Sequence, residues 1–184
     1  TECWYILDCP DNATLTIGHH ATTREEMEEM IDQGKWDEFL QEVPVRKGDF
    51  IQLEPGTLHA IKKGIMIFEV QQNSDITYRV YDYGRLQNGK PRELHVEKAL
   101  YVTSTKALDA SGKPMGETVE KDGYSETLLT KCDIFSMKRL DITEKAEVIA
   151  DETSFVSLVA LEGNGVVMHE DTCVTLYKGE SLFI

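Results

Sequence analysis

The sequence has no long hydrophobic run and few cysteines, and each shortage excludes a class of protein. No apolar stretch approaches the roughly 20 residues of a transmembrane helix, and residues 1–4 have neither the basic nor the apolar part of a signal peptide. The four cysteines include no Cys-x-x-Cys pair, which argues against a zinc ribbon or a thioredoxin motif and favours reduced thiols. We therefore expect a cytoplasmic protein.

Basic residues are also scarce. There are 19 Lys and Arg against 33 Asp and Glu, which gives a formal net charge of -14. Such a charge repels nucleic acid and anionic membranes, so neither is expected as a partner. An anionic small molecule would need a local basic pocket. With 41% hydrophobic residues the chain can bury one or two cores, which excludes a disordered protein.

Short apolar runs separated by turn residues fill most of the chain and predict a mainly β protein of the sandwich or jelly-roll type. Two glycines around Asn164 predict a hairpin turn. The predicted strands cover residues 4–7, 12–17, 50–53, 65–70, 78–81, 134–137, 155–160, 165–168 and 172–176.

A helical insertion interrupts this pattern between about residues 22 and 42. Thr22 or Thr23 can cap a helix, and Glu26 can complete a capping box. Methionine and isoleucine side chains then recur on one face, and a second short helix ends before Pro44. We interpret the apolar stripe as core packing.

Two similar segments indicate internal repetition. Residues 47–49 and 178–180 both read Lys-Gly-acid and both precede an apolar strand. The polar stretch 104–126 reads as a linker, so we predict one β domain over 1–103 and a second over 127–184. The chain begins inside a predicted strand, and the second copy stops where the first continues, so we expect further sequence at both ends.

Three side chains stand out as candidates for chemistry. His59 follows a Pro-Gly turn at a strand end, where it can face a barrel mouth and bind a metal, or it can be an ordinary hydrogen-bonded histidine. Glu2 leads directly into an apolar strand, and taken alone it reads as surface charge. Arg79 lies among the apolar residues of a predicted strand, where it can point inward or to solvent.

The order of several motifs resembles a known family. Segments 1–6, 48–50, 55–60, 69–79, 81–83 and 91–95 occur in the order found in the short bacterial form of type I mannose-6-phosphate isomerases. The resemblance implies a cupin-type jelly roll and a zinc-dependent aldose-ketose isomerase. Its substrates would be mannose 6-phosphate and fructose 6-phosphate, interconverted through a cis-enediol. The resemblance makes residues 1–103 a partial catalytic cupin domain and residues 127–184 a second, truncated and metal-free cupin-like domain.

The resemblance also implies site residues. Glu2 and His59 match two of the family's zinc ligands, whereas the family's first histidine ligand and the lysine expected before Thr1 have no counterpart here. Arg79 matches an active-site arginine that stabilises negative charge on the enediol, and Asp75 matches an aspartate near it that can orient the arginine or relay a proton. The chain alone could therefore be metal-free or weakly metallated.

Two rival functions remain open. The missing ligands also fit a non-catalytic cupin that binds a sugar or serves regulation. A different cupin enzyme, such as a metal-dependent dioxygenase, should carry a His-x-His pair near the start of its barrel, and this sequence has none.

Overall fold

The chain is mainly β, as the sequence predicts. The computed structural model describes residues 1–74, 76–106 and 112–184. Its strands are β1 (Glu2–Asp8), β2 (Thr14–His19), β3 (Leu40–Pro44), β4 (Phe50–Leu53), β5 (His59–Ala60), β6 (Met66–Gln71), β7 (Leu86–Gln87), β8 (Lys90–Pro91), β9 (Thr118–Lys121), β10 (Tyr124–Lys131), β11 (Ser136–Ile142), β12 (Ser157–Val159), β13 (Asn164–His169), β14 (Thr172–Tyr177) and β15 (Ser181–Phe183). Its helices are α1 (Arg24–Asp32), α2 (Trp36–Phe39) and α3 (Val96–Val102).

Two antiparallel three-stranded sheets enclose the main core. Their strand orders are β4-β1-β6 and β3-β2-β5. Because side chains alternate along a strand, one face of β1 points into this core and the other face packs elsewhere. Burying each large apolar side chain stabilises the fold by about 1.5–3 kcal/mol. The buried core residues are Trp4, Ile6, Leu15, Ile17, Val45, Ile51 and Leu53.

The opposite face of β1 packs on a smaller cluster. Cys3 and Phe50 are buried there together with Leu129 of β10. The strand order β11-β10-β9 forms a third sheet, and among the described residues the sheets do not close into a continuous barrel.

The helices form a second core, and the predicted helical insertion is confirmed. Thr23 caps α1, because its hydroxyl oxygen accepts a hydrogen bond from the backbone N–H of Glu26. The Glu26 carboxylate in turn accepts a hydrogen bond from the backbone N–H of Thr22. The second helix is shorter than predicted, because Leu40 already begins β3. Helix α3 was not predicted at all. The buried members of this core are Ala21, Met27, Ile31, Phe39, Val80 and Ala99.

Two sequence predictions are wrong. Residues 78–81 form no strand: Val80 is buried among the helices, and Tyr81 stacks on Trp36 with ring centroids 4.3 Å apart. The apolar side chains of this segment pack against helices and not within a sheet. The glycines around Asn164 do not form a hairpin turn either, because β13 begins at Asn164 and turns back into β14 at residues 170–171.

The chain divides into two compact units that do not follow the order of the sequence. Residues 1–117 and 127–139 form the first unit, and residues 118–126 and 140–184 form the second. The predicted linker, 104–126, contains β9 and the start of β10, and its residues 107–111 lie outside the described part of the chain. The predicted domain boundaries, 1–103 and 127–184, stay predictions. Within the described ranges, no helix is long and apolar enough to cross a membrane.

The repeated Lys-Gly-acid segment adopts one backbone conformation in both places. Gly48 and Gly179 have φ of +92° and +88°, a region that glycine occupies without strain. The N–H of Gly48 donates to the carbonyl of Ile6 at 2.9 Å, and that of Gly179 donates to the carbonyl of Ala160 at 2.8 Å. The pair β12-β15 therefore repeats the local geometry of β1-β4.

Candidate metal centre

The structure brings Glu2 and His59 together. Their Oε1 and Nε2 atoms lie 2.8 Å apart, and the side chains are 16% and 38% exposed, so solvent and small molecules can reach the pair. The other ring nitrogen of His59, Nδ1, lies 2.8 Å from the carbonyl oxygen of Thr57. A carbonyl can only accept, so Nδ1 carries a proton and Nε2 is the atom available to a metal.

Strand register explains why these distant residues meet. Glu2 lies on the same face of β1 as the core residue Trp4, opposite Leu53 of β4. His59 begins β5 and pairs with Ile17 of β2, another core residue. Both side chains therefore point to the inner side of their sheets, at the rim of the main core.

The turn before His59 is fixed by close packing. Gly56 has φ of +85°, and a Cβ at this position would lie 2.5 Å from the carbonyl oxygen of Val102. The N–H of Ser104 donates to the carbonyl of Gly56 at 2.9 Å. The end of α3 thus holds the Pro-Gly turn, and through Thr57 it also holds the His59 ring.

A third acidic side chain joins the site, and the sequence analysis missed it. Glu69 of β6 lies opposite Trp4, accepts a hydrogen bond from the Trp4 indole at 3.1 Å and hydrogen-bonds the carboxyl group of Glu2. It is exposed on the open side of the pair. The available signal was a lone acid inside the apolar run of residues 65–70.

The three groups alter one another's protonation. The hydrogen bond from His59 lowers the pKa of Glu2 despite partial burial. Partial burial alone would lower the pKa of His59, but the hydrogen bond and charge of Glu2 outweigh it and leave that pKa raised. Burial and the neighbouring Glu2 raise the pKa of Glu69. The site thus favours the ionised form of Glu2 and the protonated forms of His59 and Glu69 more than water does.

The pair Glu2 and His59 fits a zinc ion in donor type but not in number. Imidazole nitrogen and carboxylate oxygen are ordinary zinc donors at 2.0–2.2 Å, and two such donors on a tetrahedral ion lie about 3.3 Å apart. The observed 2.8 Å needs to open by only about 0.5 Å. Over the described ranges, however, no group of three or more His, Cys, Asp or Glu side chains is arranged to hold a metal.

The structure does not bring Arg79 to this cluster. Its guanidinium contacts the carbonyl of Glu93 at 3.4 Å, and its backbone N–H donates to Nδ1 of His95 at 3.2 Å. Within the described part of the chain, no hydrogen bond or ion pair joins Arg79 to Glu2, His59 or Glu69. Asp75, the other predicted catalytic residue, lies outside the described residues.

Aligning the two copies on their repeated turn shows which residue of the second unit corresponds to Glu2. Matching Ile6 to Ala160 aligns Glu2 with Val156. Val156 exchanges two backbone hydrogen bonds with Ile184, at 3.0 and 2.8 Å, just as Glu2 is the register partner of Leu53. An apolar side chain thus stands in the second copy at the position that Glu2 occupies in the first. That the second domain is metal-free stays a prediction.

Comparisons with known proteins identify relatives of this chain. The family described as "Mannose-6-phosphate isomerase, cupin domain" matches residues 125–184. Mannose-6-phosphate isomerase ManA of Bacillus subtilis is 38% identical over 188 residues, which cover 100% of this chain and 58% of ManA. A crystal structure of mannose 6-phosphate isomerase from Bacillus subtilis superimposes with a TM-score of 0.92 at 40% identity, covering 100% of this chain and 57% of that one.

One of the more distant solved structures contains zinc. A zinc-bound mannose 6-phosphate isomerase shares the fold with a TM-score of 0.65 at 13% identity, covering 100% of this chain and 60% of that one. The chain thus spans about 58% of the length of the curated relatives that it matches. The predicted cupin-type fold is confirmed. By its motifs, its fold and these relatives, the chain is similar over its whole length to mannose-6-phosphate isomerases, and its residues 125–184 match the family's cupin domain.

Proposed function

We propose that this protein is a zinc-dependent isomerase that interconverts mannose 6-phosphate and fructose 6-phosphate through a cis-enediol. The observation that carries the proposal is the contact between Glu2 Oε1 and His59 Nε2, with Nδ1 of His59 held by a backbone carbonyl. This is the arrangement by which proteins prepare a histidine to bind a metal. The relatives named above support the choice of reaction.

We infer that Glu2 and His59 hold the zinc ion. When bound, such an ion acts as a Lewis acid that polarises the sugar oxygens. Catalytic zinc sites usually have three protein ligands, so these two donors alone should bind zinc weakly. Glu2 and His59 would keep their orientation through the register of β1 and the Gly56 turn.

The isomerisation itself is a movement of protons. A proton leaves C2 of the aldose, its electron pair forms the C1–C2 double bond, and the C1 carbonyl pair moves to the C1 oxygen, which takes a proton to give the enediol. The C2 hydroxyl then loses its proton as the C2 carbonyl forms, and a proton is added at C1 to give the ketose. We infer that Glu69 takes part, because its carboxyl group is exposed beside the two ligands and a carboxylate can take up and return a proton.

We also assign Arg79 and Asp75 to the reaction. A guanidinium can stabilise the negative charge that develops on the enediol oxygen. Support comes from the family resemblance and from two hydrogen bonds between Arg79 and His95, which fix the Arg79 backbone. The His95 backbone N–H donates to the Arg79 carbonyl at 2.7 Å, and the Arg79 backbone N–H donates to the His95 side-chain Nδ1 at 3.2 Å. Asp75 would orient the arginine or relay a proton.

The local charge supports a sugar phosphate as the substrate. Although the whole chain carries a formal charge of -14, residues 79–92 contain four basic side chains and a single acid, Asp82. The basic residues are Arg79, Arg85, Lys90 and Arg92. These side chains would supply the local positive charge that a phosphate group needs in an otherwise acidic protein.

A cytoplasmic location stays a prediction from the sequence.

The test is an isomerase assay on the purified protein with and without added zinc, using mannose 6-phosphate and detection of fructose 6-phosphate. Zinc-dependent formation of the ketose supports the proposal. Binding of mannose 6-phosphate without zinc uptake and without turnover would favour the rival function, a non-catalytic cupin that binds a sugar.

A further inference from the structure

Trp4 contacts two members of the site at once. Its indole N–H donates to Oε1 of Glu69 at 3.1 Å. Its ring meets the ring of His59 edge to face, with centroids 5.3 Å apart and planes at 81°. The side chain is only 2% exposed and forms part of the main core. A rigid, buried group thus holds an exposed carboxylate and a half-exposed imidazole.

The direction of the indole is informative. A tryptophan that served the core alone would gain its stabilisation from ring burial, with its N–H satisfied by any nearby acceptor or by water. Here the N–H is directed to the acid beside Glu2 and His59. Since Glu69 is exposed, its side chain would otherwise sample several rotamers, and the Trp4 hydrogen bond selects one of them.

We propose that Trp4 is a positioning residue of this site, which orients the Glu69 carboxyl group through its indole N–H and supports the His59 ring through its edge. The proposal rests on the proposed function, because it assigns a role in the reaction to Glu69. Loss of this orientation should lower turnover by up to about a hundredfold, because a misplacement of about 1 Å at a reacting group can cost that much.

Two substitutions separate the N–H from the ring. Trp4→Phe keeps an aromatic ring beside His59 and removes the donor, whereas Trp4→Leu removes both. Trp36→Phe is the matched control, because Trp36 stacks on Tyr81 in the helical core away from these side chains. We expect Trp4→Phe to lower kcat with little change in KM, Trp4→Leu to lower zinc affinity as well, and Trp36→Phe to leave both unchanged.

A double-mutant cycle tests whether Trp4 acts through Glu69. If it does, Trp4→Phe lowers kcat in the parent protein but has no further effect on kcat in a Glu69→Ala background. A purely structural role predicts the same loss of kcat in both backgrounds, in proportion to the lost thermal stability. Equal kcat losses in the two backgrounds would overturn the proposal.

A measurement without substrate or metal keeps the two proposals apart. The protein has two tryptophans, so the two indole N–H signals in a ¹H–¹⁵N NMR spectrum are assigned by Trp36→Phe. We expect Glu69→Ala to shift the Trp4 signal and accelerate its exchange with solvent. An unchanged Trp4 signal overturns the positioning role even if the protein is an isomerase. A shifted signal in a protein without zinc-dependent turnover supports the contact and removes the proposed function instead.

Discussion

The Cα atom of Gly56 faces the carbonyl oxygen of Val102 so closely that a Cβ on this residue would lie 2.5 Å from that oxygen. This approach places the end of α3 directly against the turn that presents His59. The position of His59, a candidate ligand, therefore depends on a backbone contact that involves neither candidate ligand.

Gly56→Ala should therefore destabilise the fold strongly. A side chain at positive φ costs about 1 kcal/mol, and the clash with Val102 adds to it. The control is Gly48→Ala, which has a similar φ of +92° but nothing within 4 Å of the new Cβ. Urea unfolding of both variants measures the difference, and we expect Gly56→Ala to lose at least about 1 kcal/mol more. Equal losses would show that α3 does not press on the turn.

A low pH should reduce the stabilisation that the Asp82–Arg92 ion pair gives to the segment carrying Arg79. Asp82 is 7% exposed and accepts two hydrogen bonds from Arg92, one of them at 2.7 Å. The Arg92 hydrogen bond lowers the pKa of Asp82 in the folded state. The ion pair is then fully present above the ordinary aspartate value of about 3.9, and its stabilisation is lost as the pH falls through the lowered folded-state pKa.

The corresponding experiment compares wild type with Asp82→Asn. We expect wild type to be more stable at pH 7 and pH 5 by the same amount, and this difference to shrink below about pH 4. Glu28→Gln, on the exposed face of α1, serves as the control. A constant difference down to pH 2, measured by urea unfolding, would show that the Asp82–Arg92 pair does not stabilise the fold by its charge.

Arg79→Ala should leave zinc binding unchanged and lower kcat by about 10²–10³, the usual loss when one group that stabilises an oxyanion is removed. Arg46→Ala is the control, since that side chain is 89% exposed and its ion pair with Asp49 is long, at 3.9 Å. Unchanged turnover in Arg79→Ala would remove this arginine from the site. Loss of zinc would instead assign it a role in holding the ligands.

Local patterns in the sequence were sufficient for much of the first unit. The alternation around Trp4 and Leu15 and the cap at Thr23 predict elements that the structure contains, because each signal depends on a few neighbouring residues. The repeated Lys-Gly-acid segment indicated internal repetition, and the structure adds that both copies place their glycine at positive φ, which glycine adopts without strain.

Long-range packing accounts for what was missed. Val80 and Tyr81 alternate as strand residues do, but their partners are helices that lie far away in the sequence. Glu69 could not be recognised as a site residue because only the register of β6 against β1 brings it beside Glu2. The contact of Glu2 with His59 was expected from the family resemblance, and no local signal predicts it.

Zinc affinity, measured by equilibrium dialysis and elemental analysis, tests the central claim most directly. The claim is that Glu2 and His59 bind one metal ion together. We expect wild type to bind zinc and both Glu2→Gln and His59→Ala to bind it at least about tenfold more weakly, whereas His20→Ala, an exposed histidine, should match wild type. Zinc affinity that is the same in wild type and His59→Ala would contradict the account.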